Sequence, residues 1–438
     1  MFKALSNMFS IKELRERIIF TLLMLGVYRL AGSIWTPGVD ITKVRGMFEG
    51  TGNLFDMMNM FTGGGIGNMT IMALGVMPNI SASIIIQLAA SVVPSLERLS
   101  REGEAGRRKI NQYTRYLTVI ICIVQGGILA RSLCANGLNM MSPALFIPLF
   151  IICQTAGTIF LMWLGEQITQ RGIGNGISLI IAAGILCRMP YAFGNLWKMY
   201  LSPNPGNSLS KGILLIVLFV VVVYAIIMVI QGQRRIPVQY ARRVAGGGKS
   251  VPAHTSYIPL RLNQANVIPI IFAGALMIVP QALAKVIPSD WHTLYTIAQQ
   301  FSRPSEAGYL IVYAALVIFF TYFYTAIQFN PVQIADDFKK NGAFIPGIRP
   351  GKPTSDFLEA SMFRITTAGA IFLAVIAVVP ALITAKLQVN WEIASFMGGT
   401  GILIVVGVVL DTMQQIEAHL LMHQYDGFMS KGRLRGRY

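Results

Sequence analysis

Acidic side chains are scarce in this chain: 19 Asp and Glu stand among 438 residues, against 36 Lys and Arg. Charged residues of either sign make up only 13%, well below an ordinary soluble domain. With 54% hydrophobic residues and a mean hydropathy of +0.58, the composition excludes such a domain and reads as an integral membrane protein. Cysteines are also few. Cys122, Cys134, Cys153 and Cys187 show no paired spacing and read as small apolar residues in or near spans.

Where the carboxylates are missing matters as much as how few there are. Only Asp411 falls late in a hydrophobic run, and none lies at mid-membrane. Proton- and sodium-coupled carriers usually need a buried ionisable group for the coupling ion, so the pattern weighs against a coupled small-solute carrier. Arg29 is the exception among charges: it falls midway along the first hydrophobic run, where burial costs several kcal/mol unless it is paired.

Enzyme motifs also fail. AGGGKS at 245–250 ends like a phosphate-binding loop, but the required first glycine would fall at Arg243. GIGNG at 172–176 starts a hydrophobic run instead of following a strand. His419 and His423 are four apart, but no glutamate follows the first. No catalytic residue, metal site or cofactor is expected.

Nineteen-residue apolar windows give candidate spans near 18–36, 70–93, 113–132, 144–165, 173–190, 212–230, 265–284, 308–327, 365–384 and 396–414. The basic amphipathic residues 1–17 lead into a full span and not into a cleavable leader. Ten spans place both termini on one side. Lys and Arg concentrate at 3–17, 98–109, 234–261, 339–352 and 431–437, more than twofold over the opposite segments. That bias puts the termini in the cytoplasm. The formal net charge of +17 is then mostly cytoplasmic. It serves topology and anionic lipid headgroups, or a docking face for an acidic partner or ribosomal RNA.

The stretch from Asn53 to Val93 is the least ordinary. Its second part can cross a bilayer, which takes about 20 residues. Its first part is too short, and Gly63, Gly64, Gly65 and Gly67 break it. Backbone groups freed by such a break cannot be satisfied by lipid, so the segment must sit against protein or line a watery cavity. In a five-plus-five division, span seven is the counterpart of span two, and it opens with the proline-interrupted LNQANVIPIIF at 262–272. Irregular elements at matching positions suggest an inverted repeat around a central path. Val76, Ile80 and Ile84 recur on one face, as do Ile177 and Ile181. They serve either packing or a constriction that gates by dewetting.

MFTGGGIGNMTIMALGVMPNISASIIIQL (60–88), EGEAGRRKINQYTRYLT (102–118), MWLGEQITQRGIGNGISLII (162–181), GQRRIPVQYARR (232–243), FYTAIQFNPVQIADDFKKNGAFIPGIRPG (323–351) and GGTGILIVVGVVLDTM (398–413) follow one another in order. With them the chain resembles the SecY family, channel subunits of the bacterial Sec protein translocon, over about residues 10–430.

The resemblance implies an all-α integral membrane protein with ten transmembrane helices in two inverted five-helix halves, a SecY-like clamshell with a short re-entrant plug helix. The first half would be 1–190, with the plug at 56–69. The second would be 191–438, with large cytoplasmic loops at 231–262 and 328–362. Carried across from the family, the plug includes Asp56, Phe61, Gly63, Gly64, Gly65 and Gly67. The pore ring is Val76, Ile80, Ile177, Ile181, Ile271 and Ile404. The lateral gate includes Ser81, Ile84, Gln125 and Asn263, and the contact surface for SecA or the ribosome includes Arg234, Arg235, Arg242, Arg243 and Arg349.

The implied partners are SecE, SecG, the SecA ATPase, the ribosome and preproteins with signal sequences, with SecD/SecF and YidC as further ones. Anionic lipids are expected and DNA is not. The implied place is the bacterial cytoplasmic membrane. Val76 departs from the commoner isoleucine of the ring, and GGGIGN, with Asn68, has more glycine than is usual in the plug. A ten-span secondary transporter of a small solute is the reading from another class.

Overall fold

A computed structural model describes residues 11–48, 59–201, 209–240, 255–274, 276–277, 300, 306–387, 389 and 391–431. In chain order the helices and strands are α1 (Lys12–Ala31), α2 (Ile41–Phe48), α3 (Met77–Val92), α4 (Pro94–Arg101), α5 (Glu104–Ala135), α6 (Pro143–Arg171), α7 (Gly176–Leu196), α8 (Leu209–Gln231), β1 (Gln233–Tyr240) and β2 (Thr255–Arg261). They continue with α9 (Ala307–Gln328), α10 (Pro331–Asn341), β3 (Ala343–Phe344), α11 (Lys352–Leu387), α12 (Trp391–Gly398) and α13 (Thr400–Lys431).

Seven helices among the described residues are long and apolar enough to cross a membrane: α5, α6, α7, α8, α9, α11 and α13 as far as Leu421. The expected count of ten is not reached, for three separate reasons. Helix α1 carries Lys12, Arg15 and Arg17 in its first turns and stops at Ala31, short of the expected residue 36. Helix α3 has only 16 residues, about 24 Å at 1.5 Å per residue, against a hydrocarbon core of about 30 Å. Of the expected seventh span, 265–284, residue 275 and residues 278–284 lie outside the described residues.

Residues 70–76, expected to be helical, form turns instead. Gly75 adopts φ +59°, in the left-handed region, and the next residue, Val76, caps α3 with Pro78 in the first turn. Gln154 of α6, fully buried, holds this loop. Its amide donates to Thr36 Oγ1 at 3.0 Å and to Thr70 O at 2.9 Å, and its Oε1 accepts from Leu74 N–H at 3.3 Å.

The chain divides into two compact units. One comprises Met1–Asn207, Asn390–Phe396 and Ile404–Tyr438, and the other Ser208–Val389 with Met397–Leu403. The first has a core of Val44, Ile66, Met69, Leu74, Leu129, Leu133, Phe146 and Phe150, which joins α2, the glycine-rich segment, α5 and α6. Toward the basic ends of α5 and α6, Arg115 and Glu166 make a two-point ion pair at 2.6 and 3.1 Å. Residues 34–36 pair with 69–71 through the Trp35–Thr70 bridge.

The second unit holds an exception to the all-α expectation, a three-stranded antiparallel sheet in the order β2-β1-β3. In QRRIPVQY the side chains alternate. Ile236 and Val238 are buried with Leu260, Ala343, Ile345, Leu358 and Met362, Pro237 and Gln239 are exposed, and Arg234 and Arg235 at the start of the strand are both exposed. The sheet thus rests on the start of α11 and presents its arginines to solvent.

Candidate functional site

The described part of the glycine-rich segment is 59–69. It starts as one helical turn at 59–61 and continues in turns, with Gly64 N–H bonded to Asn59 O at 2.8 Å and Asn68 N–H to Gly64 O at 3.1 Å. The Asn59 side chain closes the segment on itself by accepting from Gly67 N–H at 2.8 Å. Asp56 lies outside the described residues. Phe61, Gly63, Gly64 and Gly65 are buried, and Gly67 is half-buried.

What seats this segment is main-chain contact. Gly63 has φ +65°, and a Cβ added there would lie 2.9 Å from Gly184 Cα on α7. A Cβ on Gly184 would lie 2.9 Å from Phe61 O, 3.0 Å from the Tyr28 hydroxyl and 3.2 Å from Gly63 N. Neither position has room for any side chain. From α1, Tyr28 donates its hydroxyl to Thr62 O at 3.4 Å and Arg29 donates Nη1 to Gly63 O at 3.3 Å. Arg29 is therefore not midway along its helix. It sits in the last turn of α1, exposed, where the helix dipole favours a cation. The Gly63 carbonyl is the partner that the sequence left unnamed.

The expected ring residues lie at several depths. Val76, Ile181 and Ile404 are buried, and Ile80, Ile177 and Ile271 are half-buried. Val76, Ile80, Ile177, Ile181 and Ile404 belong to the first unit and Ile271 to the second. Of the expected gate residues, Ile84 is buried and Ser81 half-buried on α3. Gln125 is half-buried on α5, and its Oε1 has no hydrogen bond among the described residues. In the second unit, Asn263 is buried and donates Nδ2 to Asn266 O at 2.9 Å, in a turn where Asn266 takes φ +54°.

Sequence reasoning missed a buried polar pair between α3 and α5: Thr118 Oγ1 lies 3.3 Å from Asn79 Oδ1 and 2.7 Å from Thr114 O, two acceptors between which its single proton is shared. The signal was available, because Thr118 is seven residues before Gln125 and so shares its helical face. It also missed Tyr28, Gln154 and Gly184, which look like ordinary members of apolar runs.

Arg234, Arg235 and Arg349 are exposed. Arg349 lies in a turn fixed by the Thr354 hydroxyl, which donates to Arg349 O at 2.8 Å. Arg242 and Arg243 lie outside the described residues. Among the described residues, no group of three or more His, Cys, Asp or Glu could hold a metal ion.

Residues 70–413 match the family model described as SecY. The chain is 43% identical, over 99% of both sequences, to the protein translocase subunit SecY of Chlamydia trachomatis serovar D. Among solved structures it resembles one described as a protein conducting channel, with a TM-score of 0.62, 20% identity and 92% of each chain covered. Another, with a TM-score of 0.61, 21% identity and the same coverage, comes from work on the plug domain of SecY stabilising the closed translocation channel and maintaining a membrane seal. At that identity the structures speak for the fold, whereas the family model and the relative speak for descent. The chain belongs to the SecY family.

Proposed function

We propose that this chain is the central protein-conducting channel of the Sec translocase. It passes unfolded preproteins across the membrane and releases signal sequences and membrane helices sideways into lipid. The observation that carries this reading is the glycine-rich segment 59–69, buried inside a helical unit and held by its backbone. Glycine on both sides lets the segment meet α7 main chain to main chain, which suits a stopper seated by shape and not by particular side chains.

In this reading 56–69 is the plug. The six aliphatic residues at 76, 80, 177, 181, 271 and 404 form a ring across two halves, 1–190 and 191–438. Branched aliphatic side chains suit the task. They grip an extended chain without preferring any one side chain, and they dewet when it leaves, whereas polar residues would hold water and leak ions. Ser81, Ile84, Gln125 and Asn263 line the lateral gate, where an apolar signal sequence of about 7–15 residues can partition into lipid. Ile80→Asn is expected to weaken the seal or relax signal-sequence selection. Wild-type ion currents together with wild-type rejection of defective signals would remove Ile80 from the ring.

The basic loops face the cytoplasm of a bacterial cell, with both termini on that side. SecE, SecG and the ribosome are partners in this reading. SecA supplies energy for export, since the sequence has no nucleotide site of its own. The exposed Arg234, Arg235 and Arg349 support such docking. Arg349→Glu should abolish most SecA-driven export while the protein still folds, because its side chain is exposed and only its carbonyl is used internally. Unimpaired preprotein uptake by that variant would refute the contact.

The deciding experiment is reconstitution in vesicles. Protection of a preprotein from protease that depends on SecA and ATP supports the channel. Uptake of a small solute without any partner would restore the transporter reading, which family membership leaves without support.

A further inference from the structure

Two consecutive side chains of α1 meet two consecutive carbonyls of the glycine-rich segment, Tyr28 at Thr62 and Arg29 at Gly63. We propose that Tyr28 and Arg29 form a latch that grips the plug by its main chain and sets how often the resting channel opens. The proposal rests on the reading of 59–69 as the plug.

The need for a latch follows from the glycines. A broken half-helix leaves carbonyls without partners in the segment itself, and a buried carbonyl without a donor is costly. Thr62 O, Gly64 O and Gly65 O receive Gly65 N–H, Asn68 N–H and Thr70 N–H from the segment's own turns, Thr62 O only at 3.4 Å, whereas Gly63 O receives the Arg29 guanidinium. The same stretch of backbone lies against Gly184. One turn further along α7, a Cβ added to Gly64 would approach Arg188 Nε at 3.6 Å. Tyr28, Gly184 and Arg29 therefore surround residues 61–63 and touch mostly main-chain atoms.

The position of the latch also fits a moving part. Just downstream, Ile66 and Met69 are 1% and 0% exposed in the core of the first unit, with Phe146 and Phe150. Pulling them out would cost about 1.5–3 kcal/mol for each side chain, so they act as the anchor. Motion is confined to residues before Ile66, and the latch holds the carbonyls immediately on the moving side. Its two bonds, at 3.3 and 3.4 Å, are at the long end of hydrogen-bond geometry. Arg29 is exposed while Tyr28 is buried, so water can replace the guanidinium as the plug departs. Such a contact biases an equilibrium without locking it. Because the main chain is what it grips, the latch tolerates changes in plug side chains.

The test is resting ion conductance of the purified full-length protein in planar bilayers. Arg29→Ala should raise it roughly threefold to tenfold, as expected when a weak charge-assisted bond to the closed state is lost. Tyr28→Phe, which removes only the hydroxyl, should shift it in the same direction by less. Arg29→Lys, which can still donate to one carbonyl, should restore most of the seal. A deletion of Thr62–Gly65, which spares the Ile66 and Met69 anchor, should leak on its own, and Arg29→Ala should add nothing to it. Wild-type conductance of Arg29→Ala beside a leaking deletion overturns the latch and leaves the plug reading standing. A further rise when Arg29→Ala is placed on the deletion also overturns the latch, since Arg29 would then act elsewhere. A deletion that does not leak overturns the plug reading itself.

Discussion

Gly184→Leu is expected to leak ions at rest, with conductance raised by an order of magnitude or more. The leucine would begin at a Cβ only 2.9 Å from Phe61 O and 3.2 Å from Gly63 N, and would extend into the space those atoms occupy. The neighbours on that side are backbone, which cannot rotate away as a flexible side-chain tip can. Overpacking of this kind costs about 1–3 kcal/mol. The cost falls mainly on the seated plug, because Phe61 O and Gly63 N leave with it and only the Tyr28 hydroxyl, 3.0 Å from that Cβ, stays behind. A bias of about 2 kcal/mol toward the open state is roughly a thirtyfold change in its population. The control lies on the same helix: a Cβ at Gly194 meets nothing within 4 Å, so Gly194→Leu should leave conductance unchanged. Equal currents from the two variants would mean that the seat on α7 does not hold the plug.

Gly184 also shows why some of the molecule was legible in the sequence and some was not. The span-length apolar runs of α5, α6 and α8 are visible because many residues vote for one helix. The break at 63–67 is visible because glycines cluster there. A single glycine inside GISLIIAAGILC is one small residue among many, and its role depends on what lies across from it. The start of α3 was misread for a related reason. The aliphatic spacing of 76, 80 and 84 fits a helix running back to residue 70, but periodicity carries no information about the left-handed backbone at Gly75 or the side-chain bonds from Gln154 that hold 70–76 in turns. The sheet was hidden by its own chemistry. In QRRIPVQY only Ile236 and Val238 point inward, and two buried positions beside two arginines read more easily as a charged loop than as a strand. The family resemblance supplied what periodicity could not, namely the plug, ring and gate roles. It did not supply the donors that hold the plug, since those depend on which side chains of α1 reach it.

Gln154→Met should destabilise the first unit more than any exposed substitution named above. Methionine matches glutamine in length and keeps the volume filled, so no cavity term enters. What is lost is a donor to Thr36 Oγ1 and Thr70 O and an acceptor for Leu74 N–H, all within a site where Thr36, Thr70 and Leu74 are each at most 2% exposed. Thr36 can turn its hydroxyl elsewhere and Thr70 O still accepts from Ala73 N–H at 3.0 Å, so Leu74 N–H is the group left without its partner. A buried unsatisfied group costs about 1–3 kcal/mol, which is the expected loss. The damage should also be local in a telling way. The loop 70–76 carries Val76 into the cap of α3 and lies against Thr62, whose Cγ2 would sit 2.7 Å from a Cβ on Gly75. Loosening it should therefore lower the thermal unfolding midpoint in detergent and raise resting conductance in the same protein. Gln154→Glu separates the two halves of the site. A carboxylate can still accept from Leu74 N–H but cannot donate to Thr70 O, whereas the protonated form can do both. Gln154→Glu should therefore be more stable than Gln154→Met in acid, where the added carboxyl is protonated. An unfolding midpoint for Gln154→Met equal to that of wild type would show that 70–76 holds its shape without this side chain.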